Sequence, residues 1–573
     1  MNRYRPLILL MTVLLAGLLS YGLWTLPSPE PADAEGFSAS RVVEDIEVIS
    51  KEHHSVAHPA ERAQVREYLA GRLEKLGADT IIRFRYDSLV GPKNKHVVYT
   101  FDAENLLAEF APLHESDDTV YMMLVAHYDS RYSQPMPKKD TVWSYGAADD
   151  GYGVGVILET VSQALKQREH WKQGIKVLFT DAEETGMQGM SSQWENDAHI
   201  FDNVGMVVNL EARGPWGPVL LFETCPGNEK VMELYSEAVR YPYTYSLTTV
   251  VYTFMPNFTD FTIVKDHIPG LNFSTIADIN HYHTDLDNFS NISAKSLQHY
   301  GEQVLPVVMT YLRGEEYGDK DYLKSDSDVT SFSFPLLGLF KFSRTTYLII
   351  NIVLLVVFLL LFVLEVIRGR VKFGRTLRNL GTTLLLALGI LALGEFAAYC
   401  CASVAGAVFK PFGIVVGVGF DNVAMIVLTV LLVVLSVMIY GIFRAKAMRQ
   451  VSGSMRKNAA ANAAMHYAYD TLYGTMLLMA VLSLALLLAI GENMMFFIPL
   501  FFAVVAMILY HLTSLRLWML VAVALTLLHA FSFLYALSMA LTIGAFGAVA
   551  MLAFLDLMIL IPLSDLYLSS YRK

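Results

Sequence analysis

The pattern of apolar and polar positions divides the chain into three stretches. Leu7–Leu26 is an apolar run of membrane-spanning length behind Arg3 and Arg5. Ala32-Asp-Ala34 offers a signal-peptide cleavage spacing, but the run exceeds the roughly 7–15 residues of a signal core. From about Phe37 to Lys324 the pattern is mixed. Helical periodicity over Val42–Lys51 and Ala60–Leu76 is followed by short apolar runs at Val120–Val125, Ile175–Phe179, Val204–Leu210, Val219–Phe222 and Leu271–Phe273. Helical stretches at Gly153–Leu165, Glu229–Tyr241 and Ala294–Arg313 intervene. This alternation predicts an α/β fold, with a mixed, largely parallel central sheet flanked by helices. Ser325–Ser333 reads as a polar linker. Beyond Phe340 apolar runs predict spans near Thr345–Ile367, Leu380–Cys401, Asn422–Phe443, Thr471–Ile490, Met494–His511, Leu517–Leu537 and Leu541–Pro562, an all-α transmembrane domain. The expected organisation is an anchor and linker over 1–36, the α/β domain over 37–324, a linker over 325–344 and seven spans over 345–573.

Composition supports this division. The 573 residues are 54% hydrophobic and 17% charged, too apolar for a soluble enzyme and too charged for a pure membrane bundle. A net charge of -11 argues against a nucleic-acid partner. Three cysteines, two of them adjacent at Cys400 and Cys401, supply no disulfide framework. Charge also orients the spans. Arg368, Arg370, Lys372, Arg375 and Arg378 follow the first C-terminal run, and Arg444, Lys446, Arg449, Arg456 and Lys457 follow the third. Arg516 lies between the fifth and sixth, and Arg572-Lys573 close the chain. Both termini in the cytoplasm place every cluster inside, leaving the α/β domain in a periplasm or a lumen. Short loops such as Gly491-Glu-Asn493 favour a bacterial inner membrane, whereas the sequons Asn257-Phe-Thr259, Asn288-Phe-Ser290 and Asn291-Ile-Ser293 are compatible with a lumen. Glu395, His529 and Asp556 fall within spans, where ionisable groups mark either function or a paired structural group.

The candidate chemistry lies where the apolar runs of the middle stretch end. His127-Tyr-Asp129 offers an imidazole with a carboxylate that can fix its tautomer. Asp149, before a helix, can bridge two cations or cap the helix, the second role suiting Asp150 better. Asp181-Ala-Glu-Glu184 sets adjacent glutamates at a strand end, where a cation would compensate them. One can bind metal while the other takes a proton from water. Glu211 is a ligand or the partner of Arg213, and spacing leaves the choice between His281 and His283 open.

Taken together these segments resemble the M28 metallopeptidases, a di-zinc, aminopeptidase-type family, over about Ser40 to Tyr311. His58-Pro-Ala-Glu-Arg-Ala and Tyr68-Leu-Ala-Gly-Arg-Leu resemble the family's opening helices. The resemblance implies a zinc-aminopeptidase-like fold and a pair of zinc ions per chain, with His127, Asp149, Glu184, Glu211 and His283 as ligands and Asp149 as the bridge. It makes Glu183 the general base, Asp129 the support of His127, and demotes His281. Tyr282, Arg213 and Asp260 become candidates for substrate contact. Many family members carry aspartate where Glu211 stands; glutamate resembles the membrane-embedded branch of endoplasmic-reticulum and vacuolar peptidases. The expected function is an aminopeptidase acting on peptides on the non-cytoplasmic side. The lipid bilayer is a second partner, and the membrane domain leaves room for a homo-oligomer. The rivals are a glutaminyl-cyclase-like single-zinc enzyme, which lacks the His127-type ligand, and an inactive scaffold or transporter accessory.

Overall fold

The computed structural model describes residues 4–569 except 92–99, 115, 117, 132–133, 137–138, 254–256 and 452–456. Arg3, Arg456, Arg572 and Lys573 of the charge argument lie outside the described residues. The chain divides into two compact units. One comprises Trp24–Ser333 and Gly338–Arg344, the other Met1–Leu23, Phe334–Leu337 and Thr345–Lys573.

The first unit is built on a seven-stranded sheet of β1 (Thr80–Val90), β2 (Thr100–Phe110), β3 (Tyr121–His127), β6 (Gly174–Thr180), β7 (Val204–Ala212), β8 (Trp216–Thr224) and β9 (Gly270–Ala277). The short pair β4 (Gln134–Met136) and β5 (Lys139–Val142) stands apart. The order is β1-β2-β6-β3-β7-β9-β8. The central strands β6, β3, β7 and β9 run parallel, and β1, β2 and β8 are added antiparallel. β3 and β6 are buried throughout, which is why they read as continuous apolar runs. From β3 the chain passes to β6 on one side, and from β7 to β9 on the other. The carboxyl ends of β3 and β7 therefore flank a switch point, the usual place for a ligand in such sheets.

Helices α2 (Ala39–Ile49), α3 (Pro59–Leu76), α4 (Gly151–Leu165), α5 (Gln188–Asn196), α6 (Glu229–Ala238), α7 (Ser246–Thr253), α8 (Phe261–Val264) and α9 (Ala294–Arg313) complete the unit, after α1 (Arg5–Ser20) of the other. α4 packs on β3, β7 and α9 and is nearly all buried, so it carries apolar residues all round. Gly155 brings it close to α2, since a Cβ there would stand 2.8 Å from Val42 Cγ1. The outer edge, β1, was not apparent from periodicity. Tyr86 is its one buried residue, and Arg83, Arg85 and Asp87 face solvent, Arg83 paired with Glu67 and Arg85 with Asp87 and Asp102. Its register slips between Tyr86 and Leu89, with Ser88 at φ 59°. The expected polar linker is also structured. Residues 329–334 form the buried strand β10 (Val329–Phe334), paired with β11 (Gly338–Ser343). Ser333 Oγ donates to Pro242 O at 2.8 Å and accepts from Thr244 N at 3.0 Å, and the Ser331 backbone carbonyl accepts from Ser246 Oγ at 3.0 Å.

The second unit is helical: α1, α10 (Arg344–Ile367), α11 (Phe373–Ala405), α12 (Asp421–Val451), α13 (Lys457–Ile490), α14 (Met494–Thr513), α15 (Leu517–Leu541) and α16 (Phe546–Leu568). Eight helices among the described residues are long and apolar enough to cross a membrane, matching in number the apolar runs of the sequence. They turn large side chains outward, among them Leu14, Leu18, Leu360, Leu385, Leu393 and Val427, the reverse of a soluble surface. Glu395 is engaged structurally: its Oε1 accepts from Gly547 N at 3.1 Å, where α11 and α16 approach at Gly394 and Gly547. The His529 ring lies beside those of Phe334 and Phe533, and Asp556 is buried.

Candidate metal centre

Each element of the parallel block delivers one piece of the centre at its carboxyl end. His127 is the last residue of β3 and aligns with Thr180, the last of β6. After β6 the chain turns through Ala182, held at φ 58°, into the turn carrying Glu183 and Glu184. Glu211 lies near the end of β7. Asp149 precedes α4, whose first turn is capped by Asp150, accepting from Gly153 N at 3.0 Å. His283 follows β9 in the left-handed region, φ 59°, a conformation non-glycine residues adopt only when their surroundings impose it.

These residues form two triads. Donor atoms of His127, Asp149 and Glu211 lie within 4.8 Å of one another, as do those of Asp149, Glu184 and His283. Asp149 belongs to both. Its Oδ1 is 3.2 Å from His127 Nε2, and its Oδ2 is 3.2 Å from His283 Nε2. His127 Nε2 is 3.8 Å from Glu211 Oε2, and His283 Nε2 is 3.2 Å from Glu184 Oε2. His281 turns away to Asp278, 3.2 Å from its Oδ2.

The supporting contacts add detail that motifs do not carry. His127 Nδ1 faces the carbonyl of Asp129 at 2.9 Å and its carboxylate at 3.5 Å. That carboxylate chiefly accepts from the backbone N–H groups of Glu183 and Glu184, at 2.9 and 3.3 Å. Asp129 thus orients the glutamate turn as well as the imidazole. Three residues were not singled out by sequence reasoning. Arg131 donates to the Glu184 carbonyl at 2.6 Å and to its carboxylate at 3.1 Å. Asp287 accepts from Ala148 N at 2.7 Å and Ser144 Oγ at 2.9 Å, clamping the loop that carries Asp149. Tyr300 OH receives Glu211 N at 2.9 Å and donates to Phe273 O at 2.9 Å, tying β7 to β9. The one sequence signal was proximity: Arg131 and Asp287 each lie four residues from a motif histidine.

The candidate substrate residues separate by exposure. Tyr282 is half-buried and stacks on His283, centroids 3.6 Å apart. Arg213 is half-buried, forms no ion pair with Glu211, and its buried Nη2 has no hydrogen-bond partner. Asp260 is buried and accepts from Thr180 Oγ1, so the structure gives it a contact inside the protein.

The electrostatics are those of converging buried acids and imidazoles. Burial, with Glu211, Asp260 and Glu184 nearby, pushes Glu183 well above the usual carboxylate range. Burial and Asp150, Asp149 and Asp260 do the same for Glu211. Burial opposes a charged His127, but Asp129, Asp149, Glu183 and Glu211 outweigh it and push the imidazole up. Glu184 is held low, since His283 and Arg131 overcome its burial. Asp149 Oδ2, Glu184 Oε1 and His283 Nε2 are buried without a hydrogen-bond partner. Imidazole nitrogens and carboxylate oxygens converging in this way are the donor set zinc takes.

Residues 105–308, which hold both triads, match Peptidase family M28. The chain carries an M28 peptidase domain. Endoplasmic reticulum metallopeptidase 1 of Rattus norvegicus is 29% identical over 254 residues, 42% of this chain and 26% of that protein. The vacuolar membrane protease of Scheffersomyces stipitis is 26% identical over 340 residues, 54% of this chain and 34% of that protein. The chain therefore matches about a quarter to a third of the length of these relatives. Among solved structures, Porphyromonas gingivalis glutaminyl cyclase aligns with a TM-score of 0.38 and 19% identity, covering 48% of this chain and 98% of its own.

Proposed function

We propose that the protein is a membrane-anchored zinc metallopeptidase with a two-metal site, acting as an aminopeptidase on peptides at the non-cytoplasmic face. The observation that carries this reading is the Asp149 carboxylate, one oxygen facing each triad. His127, Asp149 and Glu211 would hold one zinc, and Asp149, Glu184 and His283 the other. Zinc bound there supplies a Lewis acid for the scissile carbonyl and a lowered pKa for water.

The chain's own residues do the rest. Glu183 is anchored through its backbone to Asp129 and half-buried beside the triads. Its carboxylate would take a proton from the attacking water and return it to the leaving amine. Arg213 and Tyr282 would contact the substrate. Residues 37–324 are read as the catalytic domain and 345–573 as the membrane domain. The basic clusters from Arg368 to Arg378 and from Arg444 to Arg449 favour cytoplasmic termini, with the catalytic domain in a periplasm or lumen. A single-zinc cyclase would need one triad; His127 completes a second, which favours hydrolysis.

The test uses the full-length protein in detergent, with zinc content and cleavage of unblocked and N-blocked peptides measured beside Glu183→Gln. The expectation is about two zinc per chain and cleavage of unblocked peptides. The substitution should lower turnover about 10²–10⁴-fold with metal retained. Cleavage of N-blocked peptides alone would overturn the aminopeptidase assignment. One zinc or none would sink the two-metal site.

A further inference from the structure

Away from the triads, a row of polar side chains crosses the interior of the sheet. Asn209 on β7, Asn272 on β9 and Glu223 on β8 are cross-strand neighbours. All three are buried, at 1%, 0% and 0% exposure, among apolar residues such as Val208, Leu210, Leu271 and Phe273. The row begins at the Glu211 carboxylate. Asn209 Nδ2 donates to Glu211 Oε1 at 3.3 Å and to Asn272 Oδ1 at 3.0 Å. Asn272 Nδ2 donates to Glu223 Oε2 and to Thr259 Oγ1, both at 2.9 Å. Glu223 Oε1 receives Lys265 Nζ at 2.6 Å, and Lys265 follows α8 at the partly exposed end of the row.

Buried amides in a sheet are poorer core than leucine or valine unless their hydrogen bonds serve a purpose. Here the bonds have a direction. A carboxylate only accepts, so Glu223 obliges Asn272 to present its NH₂ group. The Asn272 oxygen then faces Asn209, which must present its own NH₂ group. The second hydrogen of that group is left for Glu211. Inverting either amide would set oxygen against oxygen. The orientation is therefore dictated from the Lys265–Glu223 pair, which does not touch the centre.

We infer that Asn209, Asn272, Glu223 and Lys265 form a positioning chain that fixes the Glu211 carboxylate for the cation shared with His127 and Asp149. The inference rests on the metallopeptidase reading and adds residues outside the centre. Partners of metal ligands that orient them typically change metal affinity or activity 10–100-fold when removed.

The test replaces the far end of the chain. Zinc affinity is measured by chelator competition on the full-length protein in detergent, in a Glu184→Gln background that disables the other triad. Lys265→Met is expected to weaken the remaining zinc about 10–100-fold, with Lys265→Arg restoring most of it. With Glu184 intact, Lys265→Met is expected to lower kcat and leave KM nearly unchanged. A melting temperature taken beside each titration reports folding. A Lys265→Met protein that melts lower but binds zinc as tightly as its parent would overturn the positioning role. So would equal weakening of the His283 triad, measured in a Glu211→Gln background. An unsubstituted protein that binds no zinc would defeat the metallopeptidase reading itself, before any variant is compared.

Discussion

Buried carboxylates of the α/β unit behave in two ways, according to where they stand. Around the flanks each has a cation of its own. Asp45 receives Arg72 Nε and Tyr68 OH at 2.6 Å, Glu159 receives Arg41 Nε at 3.0 Å, and Glu223 receives Lys265. At the carboxyl ends of β3, β6 and β7, Asp149, Asp150, Glu183 and Glu211 face one another. Among the described residues Arg131 is the one basic side chain besides the imidazoles paired with this group, through Glu184. The fold supplies a counter-charge to these three flanking carboxylates and withholds it where carboxylates converge. An accumulation of unpaired buried charge is unfavourable unless a cation arrives from outside.

That contrast can be broken most directly at Asp149. Asp149→Ala removes the oxygen facing each triad. Zinc content is expected to fall from about two to below one per chain, with loss of peptide cleavage. Retention of both metals would mean that the triads do not share a ligand.

A sharper test exchanges the sign of a stability effect. Glu211→Gln removes one negative charge from the cluster. In metal-stripped protein it is expected to raise stability by about 1–2 kcal/mol, and in zinc-loaded protein to lower it. Asp45→Asn is expected to lower both by roughly 1–3 kcal/mol. That is less than a fully buried pair would lose, because Arg72 is partly exposed. Chemical denaturation with and without chelator reads all four values. Parallel behaviour of the two variants would erase the distinction.

A further contrast, confined to acid pH, concerns a histidine with no carboxylate beside it. His299 Nδ1 accepts from Val219 N at 3.0 Å, and burial lowers its pKa to about 4. Its folded-state value lies below the ordinary 6.5, so its contribution to stability is complete above pH 6.5 and is lost as pH falls towards 4. The limiting slope is about 1.4 kcal/mol per pH unit. His299→Gln should flatten the melting-temperature profile in that window, and an unchanged profile would place the acid sensitivity elsewhere.

The strands that carry the centre were legible because both faces are buried, leaving runs such as Val120–Val125 with no polar interruption. β1 was not, since an edge strand with one buried residue has no apolar face to display. β2 was obscured by Glu104-Asn105, where Asn105 is buried by bonding Gly189 O and Gln193 Oε1. β10 disguised itself as a linker because it alternates hydroxyl residues with apolar ones, and of these Ser333 bonds the backbone of Pro242 and Thr244. In the centre, residue types and strand ends revealed which groups converge. Spacing alone did not separate His281 from His283, a choice made by one left-handed residue, nor reveal that Asp287 clamps the Asp149 loop. Those depend on backbone geometry that residue type does not encode.

The outer strand β1 has a further consequence, for solubility. An unpaired sheet edge is a template on which a second chain can add a strand. Arg83, Arg85 and Asp87 stud this edge with charge, and the slip at Ser88 bends it out of the line a flat partner would follow. The same charges that hid β1 from a reading of hydrophobic pattern leave it a poor seed for aggregation.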